Sequence, residues 1–95
     1  MSHRRPSPEI LARLAFNCRQ LRTARGYTQH ELACLCGFVD SYVGDVEQET
    51  VNITLANLEA LARGLLCAEE DLLRRPARPR DGDKLISARD SQIGE

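Results

Sequence analysis

Apolar residues Ile10, Leu14, Cys18 and Leu21 recur at spacings of three and four behind Pro6 and Pro8. That period predicts an amphipathic helix from about Pro8 to Ala24, ended by Gly26. A second run opens at Thr28, where the hydroxyl and the carboxylate of Glu31 have the spacing of a capping box. Leu32, Ala33 and Cys36 supply its buried face, and Gly37 closes it. After a turn through Phe38, the pattern Tyr42, Val43, Val46 predicts a third helix over residues 40–48, with Asp40 placed to cap it or to favour its dipole. Thr54 is an N-cap for helix 4, on which Leu55, Leu58, Leu61, Ala62 and Leu65 form one apolar face and Gly64 falls near the end. Residues 68–74 read as a short fifth helix, with acids Glu69, Glu70 and Asp71 at its positive end and Arg74 and Arg75 at its negative end. Pro76 stops it.

The pattern predicts an all-α fold: a flexible arm over residues 1–7, a five-helix bundle over 8–75, and a tail over 76–95. In the tail Leu85, Ile86 and Ile93 are the only large apolar residues, so it cannot build a core and reads as mobile. The expected core is Leu14, Cys18, Leu21, Leu32, Cys36, Val46, Leu58, Leu61 and Leu65. Tyr42 belongs at its margin, packed by its ring and wet at its hydroxyl.

A length of 95 residues sets a small core and argues against a large enclosed active site. Two Phe, two Tyr and no Trp argue against a base-stacking platform for single strands. No apolar run reaches the length of a membrane span, and Met1 to Pro8 lacks the apolar stretch of a signal peptide, so the chain reads as cytoplasmic. Cys18, Cys34, Cys36 and Cys67 lack zinc-ligand spacing, and Cys34 and Cys36 would point about 200° apart on a helix. They read as reduced thiols, with no metal or cofactor expected.

The net charge of −1 conceals an uneven distribution. Basic residues crowd into the first 25 positions and again into residues 63–89, whereas residues 26–62 contain no Lys or Arg. That middle segment carries Glu31, Asp40, Asp45, Glu47, Glu49 and Glu59.

Together "LRTARGYTQHELACLCGF", the Glu of "DVEQ" and "TLANLEALARGL" resemble the landmarks of the Xre/Cro-type helix-turn-helix family over Ile10 to Leu73. Within it, "SYVGDVE" followed by "VNITLANLE" is similar to small dimeric controller proteins of restriction-modification systems and to phage-type repressors. The resemblance implies a lambda-repressor-like bundle that dimerises and reads operator DNA with helix 3. Carried over by position, it implies Thr28, Gln29, Asp40, Ser41, Tyr42, Asp45, Gln48 and Asn52 as the DNA-binding set, to which Arg22 and Arg25 add the remaining candidates for phosphate contact, unless they serve as surface charges with Arg22 paired to a helix acid. Gln29 would hydrogen-bond a phosphate, and Thr28 would present that helix end. The arm, His3, Arg4 and Arg5, would add cations. Leu65, Leu66, Leu72 and Leu73 exceed what one short helix can bury, which points to a homodimer through helix 5 and the end of helix 4.

Departures from the family pattern keep a second class open. Two base-reading positions are acidic and Gly44 has no side chain, where relatives commonly carry Arg, Lys, Gln, Ser or Thr. The capping position before helix 3 is Val39, and the basic loop after it has become Glu49, Thr50 and Val51. A protein-interaction module on the same fold, such as an antirepressor, an antitoxin-like partner or a DNA mimic, would use exposed Phe16 and Leu35 and the acidic face. No motif places a nucleophile, His3 and His30 read as surface residues, and no Gly-rich phosphate loop is present, so no enzyme is expected. Cys34 should be exposed, and nothing basic lies close to it in sequence to activate it.

Overall fold

Pro8 starts the first helix as its sequence suggests, and Ser7 caps it. The serine hydroxyl accepts from the Ile10 N–H at 3.2 Å, and proline occupies the first turn, where no N–H is needed. The computed structural model describes residues 4–76, and its elements are α1 (Pro8–Ala24), α2 (Gln29–Cys36), α3 (Tyr42–Glu47), α4 (Leu55–Leu65) and α5 (Glu69–Leu73). Among the described residues there is no strand. His3 and the tail beyond Pro76 lie outside the described residues.

The α1 helix packs against α3 and α5, while α2 packs against α3 and α4. Leu14, Cys18, Leu32, Ala33, Val43, Val46, Leu58, Leu61, Ala62, Leu65 and Leu72 form one buried aliphatic cluster between them. Leu21 and Cys36, expected inside, are half-buried at its edge. The buried stripe of α1 is Leu11, Leu14, Ala15 and Cys18, one position round the helix from the Ile10–Leu21 stripe. Leu55 is 82% exposed. It has the right phase for the α4 stripe, but it is the first helical residue and the core begins one turn later.

Gly37 closes α2 in the left-handed conformation at φ 76, which glycine adopts without steric cost. Gly64 has another purpose. A Cβ there would meet Cys36 Sγ at 2.7 Å and Leu32 Cδ1 at 3.2 Å, so it allows α2 and α4 to approach closely rather than ending a helix. The α4 helix runs past it and ends with Leu66 at φ 58.

The fifth helix is shorter than residues 68–74. Asp71 accepts from the Ala68 N–H at 3.1 Å, and Arg74 lies beyond the last helical residue, with its side chain on Asp71. Its end is held by α1: Asn17 donates to the carbonyls of Leu72 at 3.0 Å and Arg74 at 2.8 Å. Leu65 and Leu72 are fully buried inside the protomer, so neither can serve the expected dimer contact. Leu66 is exposed and Leu73 half-buried, which leaves these two for any apolar contact at that end.

Candidate nucleic-acid interface

The capping box at Thr28 is formed in both directions: the Glu31 N–H donates to the Thr28 hydroxyl at 3.0 Å, and the Thr28 N–H donates to the Glu31 carboxylate at 2.8 Å. It fixes the start of α2 and occupies one of the six central acids. The α3 helix begins differently. Ser41 is its N-cap but makes no side-chain cap bond, and Asp40 does not cap it either. Asp40 instead faces His30, with Oδ1 2.9 Å from Nδ1. Without a cap, α3 is six residues long rather than the nine expected.

Glu47 anchors this short helix. Its carboxylate has no exposed surface and accepts from Arg22 Nε at 2.7 Å and Arg22 Nη2 at 3.0 Å. Gln29 Nε2 donates to the same carboxylate at 3.0 Å, and the Cys18 thiol lies 3.6 Å from it. Arg19 covers it from outside, donating to the Glu47 carbonyl at 3.2 Å. One carboxylate thereby ties α1, α2 and α3 together. Gly44 belongs to the same arrangement: a Cβ there would come within 3.3 Å of Gln29 Oε1, so its missing side chain makes room for Gln29.

Burial pushes the Glu47 carboxyl up, but hydrogen bonds from Arg22 and Gln29 and the Arg22 charge outweigh it, holding the group below its ordinary value. A carboxyl that titrates lower when folded contributes stability in full above its unfolded value and loses it as pH falls through its folded value. Stability should therefore decline below about pH 4.5, the ordinary value of this group. Urea unfolding across that range should show the decline, and Glu47→Gln should make this part of the profile flatter.

The structure divides the expected DNA-binding set. Ser41 and Gln48 are exposed, Asp45 is half-exposed, and Gln29 is exposed with its amide held on Glu47. Tyr42 lies at the margin of the core: its ring packs on Phe38 with centroids 4.6 Å apart, and its hydroxyl accepts from Asn57 at 3.1 Å. Arg22 is committed to Glu47 and to the Tyr27 carbonyl at 2.8 Å, and its side chain is only 13% exposed. Arg25 donates to the carbonyls of Leu65 at 2.7 Å and Leu66 at 3.1 Å, completing the end of α4. Arg22 is thereby paired with a carboxylate, whereas Arg25 is exposed and keeps its charge, with two neutral carbonyls as its partners. Asn52 donates to the Arg4 carbonyl at 3.4 Å, which sets the N-terminal arm beside the loop that follows α3. Arg4 and Arg5 are exposed there.

Two features of this region escaped the sequence reading. Arg19 has the α1 phase that would bring it over α3, but its partner, the Glu47 backbone, has no sequence signature. The contact of His30 with Asp40 crosses a turn whose geometry the residues do not spell out. Phe16 and Leu35 are exposed as expected, at 44% and 57%. They have different neighbours: Phe16 lines a shallow groove with Asn17, Asp71 and Arg74, and Leu35 lies against Gly64 of α4. Among the described residues no helix is long and apolar enough to cross a membrane, and no His, Cys, Asp and Glu group could hold a metal.

Residues 19–72 match a helix-turn-helix family model, HTH_3. A hypothetical transcription factor of Neisseria meningitidis serogroup B is 41% identical over 68 residues, which are 72% of this chain and 64% of that protein. The control protein C.SmaI of Serratia marcescens is 37% identical over 62 residues, 65% of this chain and 74% of the relative. The crystal structure of the restriction-modification controller protein C.AhdI from Aeromonas hydrophila superposes with a TM-score of 0.63 at 40% identity, covering 65% of this chain and 94% of the other.

Proposed function

The chain belongs to the helix-turn-helix family, and on that premise we propose that it is a DNA-binding transcriptional regulator, working as a homodimer in which α3 reads the operator. The observation that carries this reading is the Glu47 anchor. It holds α3 against α1 and α2 by its buried side while Ser41 and Gln48 stay open to a duplex. Family likeness to a transcription factor and to controller proteins points the same way.

The same anchor reduces the charge conflict. Of six acids in the central segment, Glu47 is inside and neutralised by Arg22, and Glu31 serves the capping box. The four that remain are Asp40, Asp45 and Glu49, in or beside α3 and the source of phosphate repulsion there, and Glu59 on α4. Asp40 and Asp45 can accept hydrogen bonds from cytosine N4, and Gln48 can pair with adenine. Cations come chiefly from the arm, since Arg22 is paired with Glu47 and Arg25 is held at the end of α4. Two-fold symmetry suits the reading of paired half-sites about 34 Å apart. The proposed contact uses Leu66 and Leu73.

With Arg4 and Arg5 as the phosphate cations of each protomer, four contacts per dimer should give a shallow plot of log affinity against log salt, with a slope of roughly −4. Arg4→Ala removes two of the four, so the slope should fall to roughly −2. Fluorescence anisotropy with one duplex across a salt series measures both. An unchanged slope in the variant would move the phosphate contacts elsewhere.

A further inference from the structure

Three exposed side chains beside the α2–α3 turn meet in a chain, of which the DNA reading uses Asp40 and leaves His30 and Cys34 without a role. His30 and Cys34 are four residues apart on α2, so successive turns stack them. Cys34 Sγ lies 3.7 Å from His30 Nε2. On the other side of the ring, Asp40 Oδ1 lies 2.9 Å from His30 Nδ1. An ionised carboxylate only accepts, so in the neutral ring the proton sits on Nδ1 and donates to Asp40, and Nε2 keeps its lone pair toward the thiol. The order is nucleophile, base and orienting acid.

The other three thiols lack this environment. Cys18 is buried, and burial followed by the nearby Glu47 charge pushes its thiol up; burial does the same to Cys36 and Cys67. Cys34 is the exposed one.

We infer that Cys34 is a thiol-exchange site for low-molecular-weight disulfides, with His30, held by Asp40, acting as its base. As Cys34 Sγ attacks one sulfur of the disulfide, its proton passes to His30 Nε2. The new S–S bond forms, the old one breaks, and the departing thiolate takes the proton back from Nε2. One mixed disulfide and one free thiol result, and the incoming disulfide is the only oxidant consumed. Because Asp40 lies two residues before Tyr42, the start of α3, an anionic adduct on Cys34 sits near the helix proposed to read DNA. That consequence for binding rests on the DNA reading; the exchange chemistry does not.

His30 and Asp40 are both well exposed, and an exposed side-chain contact contributes little to stability, so either can be replaced without unfolding the domain. The full chain is incubated with oxidised glutathione, and adducts are located by peptide mass spectrometry. The first glutathione should appear on Cys34. His30→Gln should slow its appearance about tenfold and Asp40→Asn about threefold, with unchanged far-UV circular dichroism. Equal rates in the wild type and His30→Gln would overturn the inference, because exposure alone would then account for the reaction; so would a first adduct on another cysteine. In a second arm, the singly modified protein should bind duplex about fivefold more weakly per protomer, and Cys34→Ser should abolish the response to glutathione. An adduct that leaves affinity unchanged would overturn the regulatory consequence. Failure of the unmodified protein to bind any duplex would instead count against the DNA reading, with the exchange rates still deciding the chemistry.

Discussion

Glu47→Ala is expected to destabilise the domain by about 3–5 kcal/mol, because it leaves the Arg22 guanidinium half-enclosed with no counter-charge. Domains of this kind have about 5–15 kcal/mol in total, so much of the stability would be gone. Gln29 loses its partner in the same step, and α3 loses its tie to α1 and α2. Glu47→Gln keeps the shape and one acceptor, and should lose less. Thermal unfolding of the two variants measures the difference. Equal and small losses in both would mean that aliphatic packing of Val43 and Val46 alone holds α3 in place.

Leu66→Glu should convert the proposed dimer to a monomer and lower affinity for a two-fold symmetric operator by roughly 10²–10⁴, the advantage that linking two half-site contacts confers. Leu66 is suspect on two independent grounds. It is 71% exposed, and it sits at φ 58, where a residue with a Cβ is strained by about 1 kcal/mol or more and glycine is the usual occupant. An exposed leucine in a strained position makes sense when another surface covers it. Leu66→Gly separates the two effects, since it should relieve the backbone and yet weaken association. Sedimentation at several concentrations reads this out. A Leu66→Glu protein that keeps the dimer mass would place the interface elsewhere.

Helix positions were legible in the chain because their punctuation is local. Pro8, the Thr28 and Glu31 pair, Gly37 and Thr54 each act within four residues, and each does in the structure what its chemistry suggests. Burial was legible where a stripe continues over several turns, as for Leu58, Leu61 and Leu65, and failed at an end, as for Leu55. The site was less legible because its partners come from distant elements. Glu47 stood out as a family landmark, but its contacts with Arg22 and Gln29 span 25 and 18 residues. Of the arginines that charge marked as phosphate ligands, Arg22 is paired with a carboxylate and Arg25 is tethered to two carbonyls at the end of α4. The sequence counts charges without saying which are already paired. His30 was passed over in the same way: its four-residue spacing from Cys34 was visible, whereas the contact with Asp40 depends on the course of the turn between α2 and α3.

Selection of bound sites from a random duplex library tests the central claim most directly. The wild type at low salt should enrich a two-fold symmetric site with half-sites about one helical turn apart. Ser41→Ala and Gln48→Ala should each weaken that enrichment or relax it at particular bases, by about 1–3 kcal/mol of discrimination where a base contact is lost. No enriched sequence, or one that both substitutions leave untouched, would contradict operator reading by α3.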